Sequence, residues 1–166
     1  MRCLRWFGTV AALAIVVSCA SDDAPADAPG ACSVAEGDRA VSRSRDPSPP
    51  EDLLQWSGFA DIGVLEVVGA DEECGLDASA RVALRGSATE IDAALAAAGF
   101  DDPPTQGLSI LQPPLKGIDL AELTGVVSSD QQAWENTAGE RLTRLYVRGR
   151  TGEEDQELLH IWAFTT

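Results

Sequence analysis

The side chains best suited to chemistry in this chain are one histidine, four cysteines and 27 acids. His160 is the only imidazole, so any hydrolytic triad would have to use it. It lies in an apolar run beside no identifiable nucleophile, a pattern typical of a half-buried or edge histidine in a sheet. The sequence also lacks the motifs of dinucleotide sites, phosphate loops, zinc-protease helices and nucleophile elbows. We therefore predict no catalytic residue, no cofactor, and a protein that is not an enzyme.

The acidic segment 71–77 is the place where spacing suggests a cation site. Asp71, Glu73 and Asp77 carry carboxylate oxygens, the ligands that Ca²⁺ prefers. The segment departs from an EF-hand loop because a leucine stands where that loop needs glycine, and because Cys74 interrupts the run. A divalent-cation module is thus an alternative function, with no defined ligand set, and a solvated acidic loop is the simpler interpretation.

Two further acids interrupt an apolar segment. Asp61 and Glu66 fall within residues 59–68, which are rich in Ile, Val and Leu and predict a central strand. The simplest expectation for these acids is pairing across the sheet with arginines, namely Arg81, Arg85 or Arg144. With so many acids, a pair at glycosidase separation is expected by chance and is informative only in a cleft.

The N-terminus has the features of an export signal in the usual order. Two arginines and no acid precede an apolar run over residues 7–17, which is too short to span a bilayer as a stable helix. The run ends in Val16-Val17-Ser18-Cys19, which resembles the lipobox of bacterial lipoproteins. This resemblance covers the first 19 residues. It implies a signal peptide over residues 1–18 and a Cys19 that carries diacylglycerol, so that acyl chains such as palmitate anchor the protein.

Processing would leave Cys32 and Cys74 as an even pair in an exported protein, for which a disulfide is expected. The bond would close a loop of 43 residues. The chain-entropy estimate for such a loop is about 4 kcal/mol. Because the sequence has no Cys-x-x-Cys, a thiol-based metal site is not favoured.

The charge of the chain limits its partners. A formal charge of −15 on 166 residues disfavours nucleic-acid binding, which needs a basic footprint. Removal of the signal takes away Arg2 and Arg5 but no acid, so the charge becomes −17. Repulsion from anionic headgroups would hold the domain off the membrane. The lipid bilayer is therefore expected as a partner only through acylated Cys19.

The remaining sequence predicts a linker followed by one domain. Residues 19–47 are acidic and proline-containing, without enough apolar surface to order themselves, and residues 48–166 form a single globular domain. Ser48 begins a capping-box pattern for a short helix. A second capping box from Ser87 to Glu90 introduces an amphipathic helix over residues 88–98.

The C-terminal third is typical of strands. Residues 141–148 and 157–165 are joined by a polar, glycine-containing loop, which predicts a C-terminal β-hairpin. In the first of these strands, Leu145 and Val147 are expected to face inward, while the other face is expected to be wetter and carries Arg144, Tyr146 and Arg148. The second strand is apolar on both faces and is expected inside the sheet. The fold class is therefore α+β, an antiparallel sheet with one main helix packed on a face.

These features favour a lipoprotein anchored on the extracytoplasmic side of the cell membrane. Its domain is expected to bind an envelope protein or a small ligand without catalysing a reaction. Trp134 stands in a polar setting and is the candidate contact residue, although a tryptophan at the edge of the core is the simpler reading. The alternatives are the cation module of segment 71–77 and a carboxylate-based hydrolase of envelope polymers.

Overall fold

The computed structural model describes residues 47–75, 77–108, 110 and 112–165. The predicted signal peptide, the lipobox with Cys19, Cys32 and the linker up to residue 46 lie outside these residues. The described chain forms helices and strands in this order: α1 Pro50–Trp56, β1 Glu66–Cys74, β2 Ala78–Gly86, α2 Ala88–Ala97, β3 Thr105–Gln106, a 3₁₀ turn Leu120–Glu122, β4 Thr124–Glu135, β5 Arg141–Arg150 and β6 Glu157–Thr165. No helix in these ranges is long and apolar enough to cross a membrane.

The six strands form one antiparallel sheet in the order β1-β2-β6-β5-β4-β3. The prediction of an antiparallel sheet combined with helices is confirmed, and the fold is mostly sheet. β6 lies between β2 and β5 and is buried from Leu158 to Ala163, because both of its faces are apolar. This confirms the expected interior position of the last strand.

Both helices contribute to the core on one face of the sheet, which we call the helix-side core. The predicted capping box of α2 is confirmed: the Ser87 hydroxyl accepts from the Glu90 amide, and the Glu90 carboxylate accepts from the Ser87 amide at 2.8 Å. Ile91, Ala94 and Leu95 are the buried residues of α2. The helix therefore packs through the apolar side that the sequence pattern predicts.

The opposite face of the sheet is covered by residues 112–123, which we call the proline strap. Leu115 and Leu120 are buried in a second apolar cluster with Val147 and Trp162 of the sheet. The strap approaches β1 closely, since a Cβ on Gly69 would lie 2.7 Å from Cδ2 of Leu115. The sheet is therefore covered on both faces.

The prediction of a central strand over residues 59–68 is wrong. Residues 59–65 form an irregular segment in which the Asp61 carboxylate accepts from the Gly63 amide, and Gly63 has a φ of +58°. Its apolar content serves the helix-side core, where Phe59 and Leu65 are buried. The strand begins only at Glu66 and lies at the edge of the sheet.

The predicted roles of Ser48 and of two β5 residues are also wrong. Pro49 is the N-cap of α1, and Ser48 donates from its amide and its hydroxyl to the Glu72 carboxylate at 3.0 and 2.9 Å. Arg144 and Tyr146, expected on a wetter side of β5, are 0% and 3% exposed. Tyr146 belongs to the helix-side core, and the rings of Phe100 and Trp134 cover Arg144, so this face of β5 is buried and not wet.

Candidate functional site

Trp134, the predicted contact residue, packs on a buried arginine. The guanidinium of Arg144 lies 3.8 Å from the Trp134 ring centroid and 4.6 Å from that of Phe100. Trp134 is half-buried and packs against the helix-side core. The indole therefore has a structural role as a cover for this cation.

The Arg144 guanidinium donates to the ends of both helices. It donates to the carbonyl oxygens of Ser57 at 3.1 Å and Ala98 at 2.9 Å, which are the C-cap residues of α1 and α2. It also donates to the side-chain oxygen of Gln131 on β4. Carbonyls at helix C-termini carry partial negative charge and favour a cation. Burial lowers the pKa of Arg144 to about 10, so the group stays charged at neutral pH.

His160 is fully buried, in contrast to the half-buried or edge position expected from sequence. Its Nε2 accepts from the Leu115 amide at 2.8 Å, and its ring lies 4.0 Å from that of Trp162. Nδ1 is buried and has no hydrogen-bond partner among the described residues. Burial, with a smaller effect from the charge of Arg81, lowers the pKa of His160 to about 4. The imidazole is therefore neutral at pH 7 and holds the proline strap.

Most of the acidic segment 71–77 is strand and not loop. Asp71 and Glu73 lie on β1 with their carboxylates 2.7 and 3.7 Å from the Arg81 guanidinium, while Asp77 is exposed in the turn to β2. Across the described ranges, no three His, Cys, Asp or Glu side chains group together as metal ligands. Arg81 supplies the positive charge that faces the first two carboxylates.

The other sequence-predicted residues lie apart from one another. Cys74 ends β1, and its expected partner Cys32 falls outside the described residues, so the disulfide stays a prediction. The expected cross-strand pair of Glu66 and Arg85 is confirmed at 3.9 Å. Asp61 is exposed in the segment before β1.

The best candidate binding site is an open cleft of about 660 Å³ between the start of α2 and the loop that joins β5 to β6. The register creates it, because Glu157 on β6 lies opposite Gly86, the last residue of β2. A Cβ on Gly86 would lie 2.3 Å from Cδ2 of Leu65, so a larger residue where the chain turns toward α2 would displace the Leu65 side chain. Hydroxyl and charged side chains line the cleft, among them Thr89, Thr124, Arg150, Glu153, Asp155 and Glu157.

The charges of the cleft are unequal, with three acids against one arginine. Arg150, Glu153 and Asp155 are exposed. Glu157 is more enclosed: its Oε2 atom is buried without a hydrogen bond, and Arg148 Nε lies 3.7 Å away. Arg148 also pairs with Asp92 on α2. The arrangement suits a polar ligand that carries hydroxyl or positively charged groups.

Sequence reasoning missed this cleft. The available signal was the run of acids that includes Glu153 and Asp155 in the loop between β5 and β6. Nothing in that run indicates that the start of α2 lies across the cleft from this loop. Comparison with known proteins identifies no relative: no protein-family model, no curated protein and no solved structure matches the chain. The site is therefore defined by the geometry of its own residues.

Proposed function

We propose that the protein is a lipoprotein of the cell envelope, anchored through acylated Cys19 on the extracytoplasmic side of the membrane. Its domain binds an envelope protein or a small ligand and catalyses no reaction. The observation that carries the anchor is the sequence Val16-Val17-Ser18-Cys19 at the end of a short apolar run. The acidic linker supports it, because a charged spacer would keep the domain clear of anionic lipid.

A binding role for the domain is supported by where its polar groups lie: the groups with the largest pKa changes are buried in the core, and the open cleft is lined by polar side chains. The two groups with the largest pKa changes, Arg144 and His160, are fully buried and hold the helices and the proline strap. Neither reaches a surface where a substrate would lie. The cleft beside α2 is open and lined by polar groups, so it is the surface where we expect a ligand.

The anchor is tested by metabolic labelling with a palmitate analogue. Wild-type protein should take up the label and sediment with membranes, whereas Cys19→Ser should do neither. A matched control is Cys3→Ser, which lies in the predicted signal peptide and should still give labelled, membrane-bound protein. Equal labelling of the wild type and Cys19→Ser would contradict the anchor.

The binding role is tested with the soluble Cys19→Ser chain as bait in an envelope extract. We expect it to enrich a protein or small ligand, and the combined changes Arg150→Ala and Asp155→Asn in the cleft to abolish the enrichment. Glu51→Gln is the matched control, since Glu51 is exposed on α1. No enrichment, or the same loss with Glu51→Gln, would count against binding at the cleft.

The hydrolase remains the second candidate because of one observation: three acids line one open cleft. Glycosidases use two carboxyl groups on either side of the scissile bond. Incubation of cell-wall polymer with the wild type and with Glu157→Gln separates the two proposals. Release of fragments by the wild type but not by Glu157→Gln would favour hydrolysis, and no release by either would favour binding alone.

A further inference from the structure

The proline strap is attached to the sheet by two polar contacts in addition to its apolar side chains. The Leu115 amide donates to Nε2 of His160 at 2.8 Å, and the Trp162 indole donates to the Pro113 carbonyl at 2.9 Å. The acceptor His160 and the donor Trp162 both lie on β6, and the centroids of their rings are 4.0 Å apart. The strap and the centre of the sheet are therefore joined at one histidine and one tryptophan.

The contact between Leu115 and His160 exists in only one protonation state of the ring. Because Nε2 accepts a hydrogen bond, the neutral ring must carry its proton on Nδ1. A second proton would go to Nε2 and turn it into a donor that faces the Leu115 N–H. Two donors would then face each other in a buried position, and none of the ion pairs among the described residues gives the ring a counter-charge.

The groups around the ring would do little to stabilise the positive charge of a protonated His160. Across β2 the register partner of His160 is Ala83, and the charge of Arg81 on the same strand acts on the ring. Arg81 in turn faces Asp71 and Glu73 of β1. Across β5 the partner is the buried apolar Val147. On the strap, Leu115 is buried, its neighbour Lys116 is exposed and positively charged, and the acids Asp119 and Glu122 are exposed to solvent. This setting is consistent with the lowering of the His160 pKa to about 4.

We propose that His160 is an acid-sensitive latch: its neutral ring holds the proline strap on the sheet, and its protonation releases the strap and exposes the Trp162 face. Release would uncover an apolar surface that includes Trp162, Leu158 and Val147. The register partners of the ring, Ala83 and Val147, belong to the cluster on the strap side of the sheet and not to the helix-side core. The latch is independent of the proposed binding role of the cleft.

The test uses NMR of the soluble Cys19→Ser chain between pH 7 and pH 3. The chain has one histidine, so its ring signal is assigned without ambiguity. We expect the Leu115 amide and the Trp162 indole N–H to lose hydrogen-exchange protection by about tenfold or more as that signal titrates, while the amides of β2 and β5 keep theirs. Continued protection of Leu115 after His160 is protonated would overturn the proposal, and so would simultaneous loss of protection in the core.

His160→Gln is the matched variant, because its side-chain oxygen can accept from Leu115 and does not titrate. The strap of this variant should stay protected through the whole pH range. A wild-type-like release in His160→Gln would overturn the latch. If His160→Gln fails to fold, the proposal is tested by the Cys19→Ser chain alone, through the difference in hydrogen-exchange protection between its strap amides and its core amides.

Discussion

The guanidinium carbon of Arg144 lies 3.8 Å from the ring centroid of Trp134, and this pair connects both helices to the sheet. Among the described residues, Arg144 has no carboxylate at salt-bridge distance. Its hydrogen bonds go to Ser57 and Ala98, at the C-terminal ends of α1 and α2. Two helix ends and two aromatic rings thus replace the usual carboxylate partner.

Removal of the Arg144 side chain should lower the free energy of unfolding more than removal of an exposed charge. Arg144→Ala leaves the Ser57 and Ala98 carbonyls without their donor and opens a cavity, so we expect a loss of about 3–5 kcal/mol in the free energy of unfolding. Urea titration measures this loss. Arg141→Ala, at an exposed position on the same strand, is the control and should change stability by less than about 0.5 kcal/mol. A loss below about 1 kcal/mol in Arg144→Ala would contradict this role.

The indole should be coupled to the arginine energetically. Trp134→Leu removes the ring that covers the guanidinium, and we expect a coupling free energy of about 0.5–2 kcal/mol between the two positions. A double-mutant cycle of Trp134→Leu with Arg144→Met, followed by urea unfolding, measures it. If the two losses simply add, the stacking contributes nothing.

Gly58 should tolerate no side chain. Its φ is +86°, and a Cβ there would lie 2.3 Å from Nη1 of Arg144, so Gly58→Ala combines backbone strain with displacement of the guanidinium. Gly139→Ala is a matched control, since Gly139 has a φ of +80° and nothing within 4 Å of a built Cβ. We expect about 1–2 kcal/mol for the control, from backbone strain alone, and a larger loss for Gly58→Ala. Equal losses in thermal or urea unfolding would contradict the close approach.

The buried histidine should make stability depend on pH. Its pKa is about 4 in the folded chain against 6.5 ordinarily, so the unfolded chain binds the proton more readily. Above pH 6.5 the ring is neutral in both the folded and the unfolded chain, and stability does not depend on its titration. As the pH falls from 6.5 toward 4, the unfolded chain takes up the proton first, and the free energy of unfolding falls by up to about 3 kcal/mol. Unfolding free energies of the wild type and His160→Gln between pH 8 and pH 4 should therefore converge as the pH falls. Parallel curves would show that the ring does not titrate as expected.

The predicted disulfide between Cys32 and Cys74 is open to a direct test. Alkylation of the unfolded Cys19→Ser chain without reductant should leave both cysteines unmodified, and reduction should make both reactive. Cys32→Ser and Cys74→Ser should each lower stability by a similar amount, about 2–4 kcal/mol, because each removes the same bond. Unequal losses, or alkylation without reductant, would contradict the pairing.

The elements that the sequence predicts well are those whose signals are local. The capping box at Ser87 and Glu90 and the apolar side of α2 lie within a few residues of one another, so the helix is predicted with its correct start. The apolar character of both faces of β6 is equally local and indicates an interior strand. The pairing of Glu66 with Arg85 follows from two neighbouring strands.

The features that the sequence does not reveal depend on distant contacts. Arg144 stands in an alternating strand, where an arginine ordinarily faces water; its burial depends on Ser57 and Ala98, which lie 87 and 46 residues away. The apolar residues before Glu66 suggest a strand, but they fill the core from an irregular segment. The cleft likewise requires the register of β2 with β6, which brings the start of α2 next to Glu157.

The position of β6 has a consequence for the order of assembly. β2 pairs with β6 from Ser79 with Phe164 to Gly86 with Glu157, so the N-terminal part of the sheet reaches β5 only through the last strand. A chain synthesised from its N-terminus can pair β1 with β2, and β4 with β5, before β6 is made, but these two pairs have no strand between them until then. The sheet can therefore close only once β6 has been made, because β6 is the strand that joins its two parts.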